Sequence, residues 1–267
     1  MTAARPGTAA VVLAALLAAC SSDSRRLFET AQARWREGNY EDAIRLNTLL
    51  YQRDPRGKYA PDALLGLGDV QYLNLRRLDR AIEAYQKLIA EFPDTDQTIR
   101  AREQLAEIYR NEIGDLGQAI YEYEKLLESG RVENRAEIQL RMADAYFKSN
   151  DFDRALRELR RIEEGGVSGH EADLVRLKIG SVYQIRKRFD EAVPAFQKVA
   201  ESPCIECRRR ALWNLAETYE ARFDFDRAMA TLGRLDRTAE SEARIAREVE
   251  RLEARRRDVA TTSLDWR

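Results

Sequence analysis

Along most of this chain apolar residues recur at offsets of three, four and seven, the spacing of a helix's buried stripe. The stripes come in pairs, and the pairs repeat. A small residue stands at Ala31, Gly68, Ala106, Ala143, Gly180 and Ala216, and a second at Ala43, Ala81, Ala119, Ala155, Ala192 and Ala228. Within each pair the spacing is 12, 13, 13, 12, 12 and 12, and successive second members lie 38, 38, 36, 37 and 36 residues apart. Three residues after the first small residue comes Tyr109, Tyr146, Tyr183 or Tyr219, slipping one place to Trp35 and Tyr72 in the first two repeats. Three before the second stands Tyr40, Leu78, Leu116, Phe152, Phe189 or Phe225, and pairs such as Tyr85/Leu88, Tyr123/Leu126 and Phe196/Val199 follow it. This predicts six helix–turn–helix units over residues 24–237, in which small residues let helix axes approach and aromatics fill the gaps beside them.

The turns read GNYEDAI, NDFDRAL, KRFDEAV and FDFDRAM, and Pro55 and Pro93 follow their second helices. In these positions the chain resembles the tetratricopeptide repeat (TPR). The resemblance implies an all-α, right-handed superhelical solenoid that binds protein rather than turning over a substrate. An open solenoid end needs a lid with one apolar face. Residues 239–257 supply one, with Ile245, Val249 and Leu252 on a thin stripe, so 238–260 are expected to cap the stack and 261–267 to be irregular.

The first residues read as an address. Residues 9–19 are uninterruptedly apolar, long enough for a signal segment but short of the ~20 needed to span a bilayer. They end in Leu17-Ala18-Ala19-Cys20, which resembles the lipobox of bacterial lipoproteins. That resemblance implies removal of 1–19, a covalent lipid on Cys20, a tether over 20–23 and, because Ser21 follows the cysteine, passage to the periplasmic face of the outer membrane. The stretch that begins at Gly57, GKYAPDALLGLGDVQYLNLRRLDRAIEAYQKLIAEFPDT, lies behind such an anchor. It is similar to the BamD-like lipoproteins of outer-membrane assembly and to the TPR protein of the Tol-Pal system.

Composition narrows the chemistry. Lys and Arg total 45 against 46 Asp and Glu, so no basic field suits nucleic acid. A single histidine, His170, leaves no Ser-His-Asp site and no metal site built from histidines. No enzyme, cofactor, metal or small-molecule substrate is expected. Cys204 and Cys207 form a CxxC; haem attachment would need His at position 208, which is Arg208, and zinc would need two further ligands that His170 alone cannot supply. A structural disulfide is the expectation in an oxidising compartment, with two free thiols or a thiol-redox role as the alternatives. The residue after each first small residue should face the groove: Gln32, Asp69, Glu107, Asp144, Ser181 and Glu217, with Trp35, Tyr72, Phe147 and Trp213 beside them. Such a row suits a basic or amphipathic peptide, unless its acids merely pair with Arg or Lys one turn away. The functional expectation is a lipid-anchored scaffold binding other envelope proteins, in outer-membrane assembly or envelope organisation. A pilotin-like escort of secretin or pilus components is the alternative.

Overall fold

The computed structural model describes residues 23–236 and 239–264, which contain helices and no strand. The expected signal segment 1–19, Cys20 and residues 265–267 lie outside them. No described helix is long and apolar enough to cross a membrane.

The helices form two compact units that divide between Glu133 and Asn134. The first holds α1 (23–36), α2 (Tyr40–Arg53), α3 (Ala60–Asp69), α4 (Leu78–Glu91), α5 (Asp96–Glu107) and α6 (Leu116–Ser129). From α2 onward each helix packs on the next, and α3 also touches α5, so successive first helices of the repeats stack. Its core gathers Leu64, Leu65, Ala81, Tyr85, Leu88, Ala101, Leu105 and Ile108. The second unit holds α7 (Arg135–Lys148), α8 (Phe152–Glu164), α9 (Gly169–Ile185), α10 (Phe189–Ala200), α11 (Ile205–Ala221), α12 (Phe225–Leu232) and α13 (Ala239–Leu264). The same rule holds there: neighbours pack in order, and α9 touches α11. Helix α13 lays Ile245 and Leu252 into that unit's core with Val249 against it. It runs past the expected end at 260, and residues 261–264, expected to be irregular, stay helical. The sequence explains the difference, since neither Gly nor Pro interrupts the stretch.

All twelve small residues of the repeat pattern are buried. Gly68 and Gly180 are needed as glycine. A Cβ on Gly68 would stand 2.2 Å from the Tyr85 ring, and one on Gly180 would stand 2.5 Å from the Phe196 ring.

Each turn between paired helices contains one left-handed residue, always five before the second small residue: Gly38, Arg76, Gly114, Asn150, Lys187 and Phe223. In repeats one, four, five and six the next N–H closes on a carbonyl five residues back, as Asp151 does on Tyr146 at 2.8 Å and Arg188 on Tyr183 at 2.8 Å. Repeats two and three carry one extra residue. Both absorb it as π-helix, Val70–Asn74 after α3 and Ile108–Ile113 after α5. In repeat two the closing bond accordingly spans six residues, from Arg77 N–H to Gln71 O at 2.8 Å. Asp115, Asp151 and Asp224 then cap the second helices, each accepting the backbone N–H three residues on.

Candidate functional site

The acidic row is largely spent on packing. Asp69, at the end of α3, is 4% exposed; it accepts the Tyr85 hydroxyl at 2.8 Å and faces Arg100 at 3.6 Å. Burial pushes its carboxyl above the ordinary value, against the Tyr85 hydrogen bond and Arg100. The Tyr85 hydroxyl is pushed up in turn by burial and by that carboxylate. Glu107 accepts Tyr123 at 3.1 Å, Arg110 at 2.7 Å and Asn111 at 2.7 Å. Asp144 takes Lys178 at 2.6 Å. Of the four acids in the row only Glu217 is exposed, and it has no ion pair among the described residues. Two of the four acids are thus engaged by a tyrosine sixteen residues on, which reaches back to Asp69 and to Glu107.

The aromatic neighbours divide in the same way. Tyr72 belongs to the first unit's core, with Arg76 over its ring. Trp35 donates to Asn74 at 2.7 Å, and Phe147 stands edge-on to Phe152. Trp213 is half-buried, with the Arg244 guanidinium 4.4 Å above its ring.

Trp213 and Glu217 do share a concavity. Within the second unit, α9, α11 and α13 line a groove of about 790 Å³ that also includes Ser181, Arg209, Arg210, Arg244, Glu206 and Asp236. Acids and arginines balance there, so the groove offers paired hydrogen-bonding groups around an aromatic platform rather than a negative field. It suits a polypeptide segment of mixed charge.

At the N-terminus of α11 the cysteines meet the histidine. Cys204 is the helix N-cap, Cys207 lies in the first turn, and the two form a disulfide with Cα atoms 5.3 Å apart. The Cys207 N–H donates to Cys204 Sγ at 3.2 Å. His170, in the first turn of α9, places Nδ1 3.4 Å from Cys204 Sγ and 3.1 Å from Cys207 Sγ. Composition alone leaves His170 as a lone ligand. The signal that finds its partners is the period, since His170 and Cys207 stand 37 residues apart, one repeat, at the starts of stacked helices.

Comparison with known proteins agrees with the architecture. Families described as tetratricopeptide repeat match residues 28–96 and 210–237, and one described as tetratricopeptide repeat-like domain matches 69–212. A solved tetratricopeptide repeat protein from Parabacteroides merdae is 18% identical over 90% of this chain and 93% of its own, with a TM-score of 0.57. A solved MamA protein is 21% identical over 67% of this chain and 91% of its own, with a TM-score of 0.55. At those identities the likeness concerns the fold. No curated protein gives a significant match.

Proposed function

From the premise that this chain belongs to the tetratricopeptide-repeat family, whose domains bind protein partners, we propose that it is a lipid-anchored scaffold at the periplasmic face of a bacterial outer membrane. It holds a segment of another envelope protein, in membrane-protein assembly or envelope organisation, and carries out no reaction itself. The observation that supports binding most directly is the groove around Trp213: a half-buried indole beside Glu217, which is exposed and has no ion pair among the described residues, lined by polar groups from α9, α11 and α13. Aromatic platforms supply contact area at little entropic cost, and polar groups around them fix register. The lipobox-like Leu17-Ala18-Ala19-Cys20 supports the anchor. Several acyl chains on one cysteine hold a protein stably where a single chain does not.

Two measurements test the reading. Cys20→Ser should move the chain from the membrane to the soluble fraction or leave it unprocessed; equal palmitate labelling of wild type and variant would remove the anchor. A photo-crosslinker at Glu217 in intact cells should trap one envelope protein, and Trp213→Ala should reduce that adduct severalfold at unchanged helical content. An undiminished adduct would place the partner on another face.

A further inference from the structure

We infer that His170, Cys204 and Cys207, once the disulfide is reduced, form a binding site for a soft monovalent cation, Cu(I). The three donor atoms, Nδ1 and two Sγ, lie within 4.8 Å of one another. Ligands bound to one ion at about 2.0–2.3 Å stand roughly 3.3–3.9 Å from each other. The imidazole nitrogen already meets that spacing within a few tenths of an ångström, at 3.4 and 3.1 Å. Opening the S–S bond frees the half-buried Cys204 side chain to turn and supply the remaining separation.

The surroundings hold the backbone at Cys204 in place. The Cys204 N–H donates to Ser202 Oγ at 3.1 Å, and the Ser202 hydroxyl donates to the buried Asp173 carboxylate. Arg208 holds the Ser202 carbonyl at 3.2 Å. At the α11 N-terminus the Cys207 N–H donates to Cys204 Sγ at 3.2 Å. Cys207 is buried, Cys204 half-buried and His170 exposed, so an ion enters from the solvent side and finds its sulfurs already partly desolvated.

The donor set selects the ion. Two thiolates and an imidazole are soft ligands that favour Cu(I) or Zn(II). A structural zinc site wants a fourth protein ligand, and among the described residues no other His, Cys, Asp or Glu joins this cluster. Cu(I) is satisfied by three donors. The chemistry balances with a low-molecular-weight thiol as reductant: two R–SH become R–S–S–R, and Cys204–Cys207 becomes two cysteine thiols. Cu(I) then displaces both thiol protons to solvent and binds two thiolates and the neutral imidazole. In the reverse exchange R–S–S–R takes two electrons and two solvent protons to become two R–SH, the Cys204–Cys207 bond re-forms and Cu(I) is released, so the site is gated by redox state.

The test uses the full chain carrying Cys20→Ser, so that only these thiols count, titrated without oxygen against a colorimetric Cu(I) chelator. The reduced protein should retain one Cu(I) per chain, and the diamide-oxidised protein none. His170→Ala leaves both thiols and, being exposed, should not disturb the fold, which circular dichroism checks. It should weaken retention by more than about tenfold, the least expected even from an outer-shell partner of a metal ligand. Fully reduced Cys20→Ser protein that retains no Cu(I), or its His170→Ala derivative that retains it as tightly, would overturn the site. Displacement of Cu(I) by an equal concentration of Zn(II) would overturn the choice of cation.

Discussion

Replacing Gly180 by Ala sets two known effects against each other. Alanine in a helix is favoured over glycine by about 1 kcal/mol. A Cβ at Gly180, however, would sit 2.5 Å from Phe196 Cε1 and 2.8 Å from Cδ1 and Cζ. Phe196 is fully buried, so its ring cannot swing into solvent to escape. Forcing an extra carbon into a packed core costs roughly 1–3 kcal/mol, which leaves Gly180→Ala destabilising by about 1 kcal/mol after the propensity gain. The chain itself shows the relief. At the register where Gly180 faces Phe196, repeats four and six pair Ala143 with Leu159 and Ala216 with Leu232. Phe196→Leu alone should open a cavity and cost roughly 1–2 kcal/mol, less than the ~3–5 of Phe→Ala. Together the two changes recreate the repeat-four pair, so the double variant should be more stable than the summed singles by about 1 kcal/mol. Urea unfolding followed by circular dichroism, with its slope checked for constancy, measures all four corners of the cycle. Additivity within about 0.5 kcal/mol, or a Gly180→Ala protein more stable than wild type, would refute the close-approach reasoning.

Two further predictions concern buried carboxylates. Asp69→Asn keeps an acceptor for Tyr85 while removing a charge that burial disfavours; because the native pKa is raised, this group's stabilisation is complete below its unfolded value and is lost as pH rises through the native one. The advantage of Asn over Asp should therefore grow from about pH 4 upward, and an advantage that shrinks with rising pH would refute the assignment. Glu220 is the opposite case: burial pushes its carboxyl up, but Arg251, donating to both oxygens at 2.8 and 2.6 Å, and Arg255 together hold it below the ordinary value. Its contribution is present above the unfolded value and lost as pH falls through the native one. Glu220→Gln should loosen α13 by on the order of 1 kcal/mol, a modest figure because both arginines are half exposed, and deuterium uptake in Ala239–Leu264 should rise first.

The repeat register was legible because a solenoid uses one packing solution many times, and each use leaves the same small residue at the same spacing. The extra residue of repeats two and three was visible too, as a spacing of 13 instead of 12. Its location was not. Placing it in the turn would have moved the left-handed residue, whereas widening the helix to Val70–Asn74 and Ile108–Ile113 leaves that residue five before the second small position in every repeat. Glycine marks the left-handed position at Gly38 and Gly114, and Asn150 is a residue that adopts it readily; Arg76, Lys187 and Phe223 occupy it without any compositional sign. For these L-residues the left-handed backbone costs about 1–2 kcal/mol, and their turns tolerate it because the packed helix pairs on either side dictate where the chain must reverse.

The binding face was harder to read for a related reason. A helical face shows which side chains point into a groove but not which of them the next helix has already taken. Asp69 and Glu107 look like free acids on a helical wheel, yet each has a tyrosine sixteen residues on that claims it. In the shorter repeats the equivalent position, four after the second small residue, lies fifteen residues on from Ser181 and Glu217, and it holds Phe196 and Leu232, neither of which carries a hydroxyl. The partners of a side chain in a repeat protein lie at two characteristic distances, across the paired helix and one repeat along. The first distance separates the spent acids from Glu217, and the second brings His170 to Cys207. By those two distances the sequence points to the Trp213 groove and the cysteine–histidine cluster, both built on helix α11, as places where the described residues leave side chains over for something other than folding.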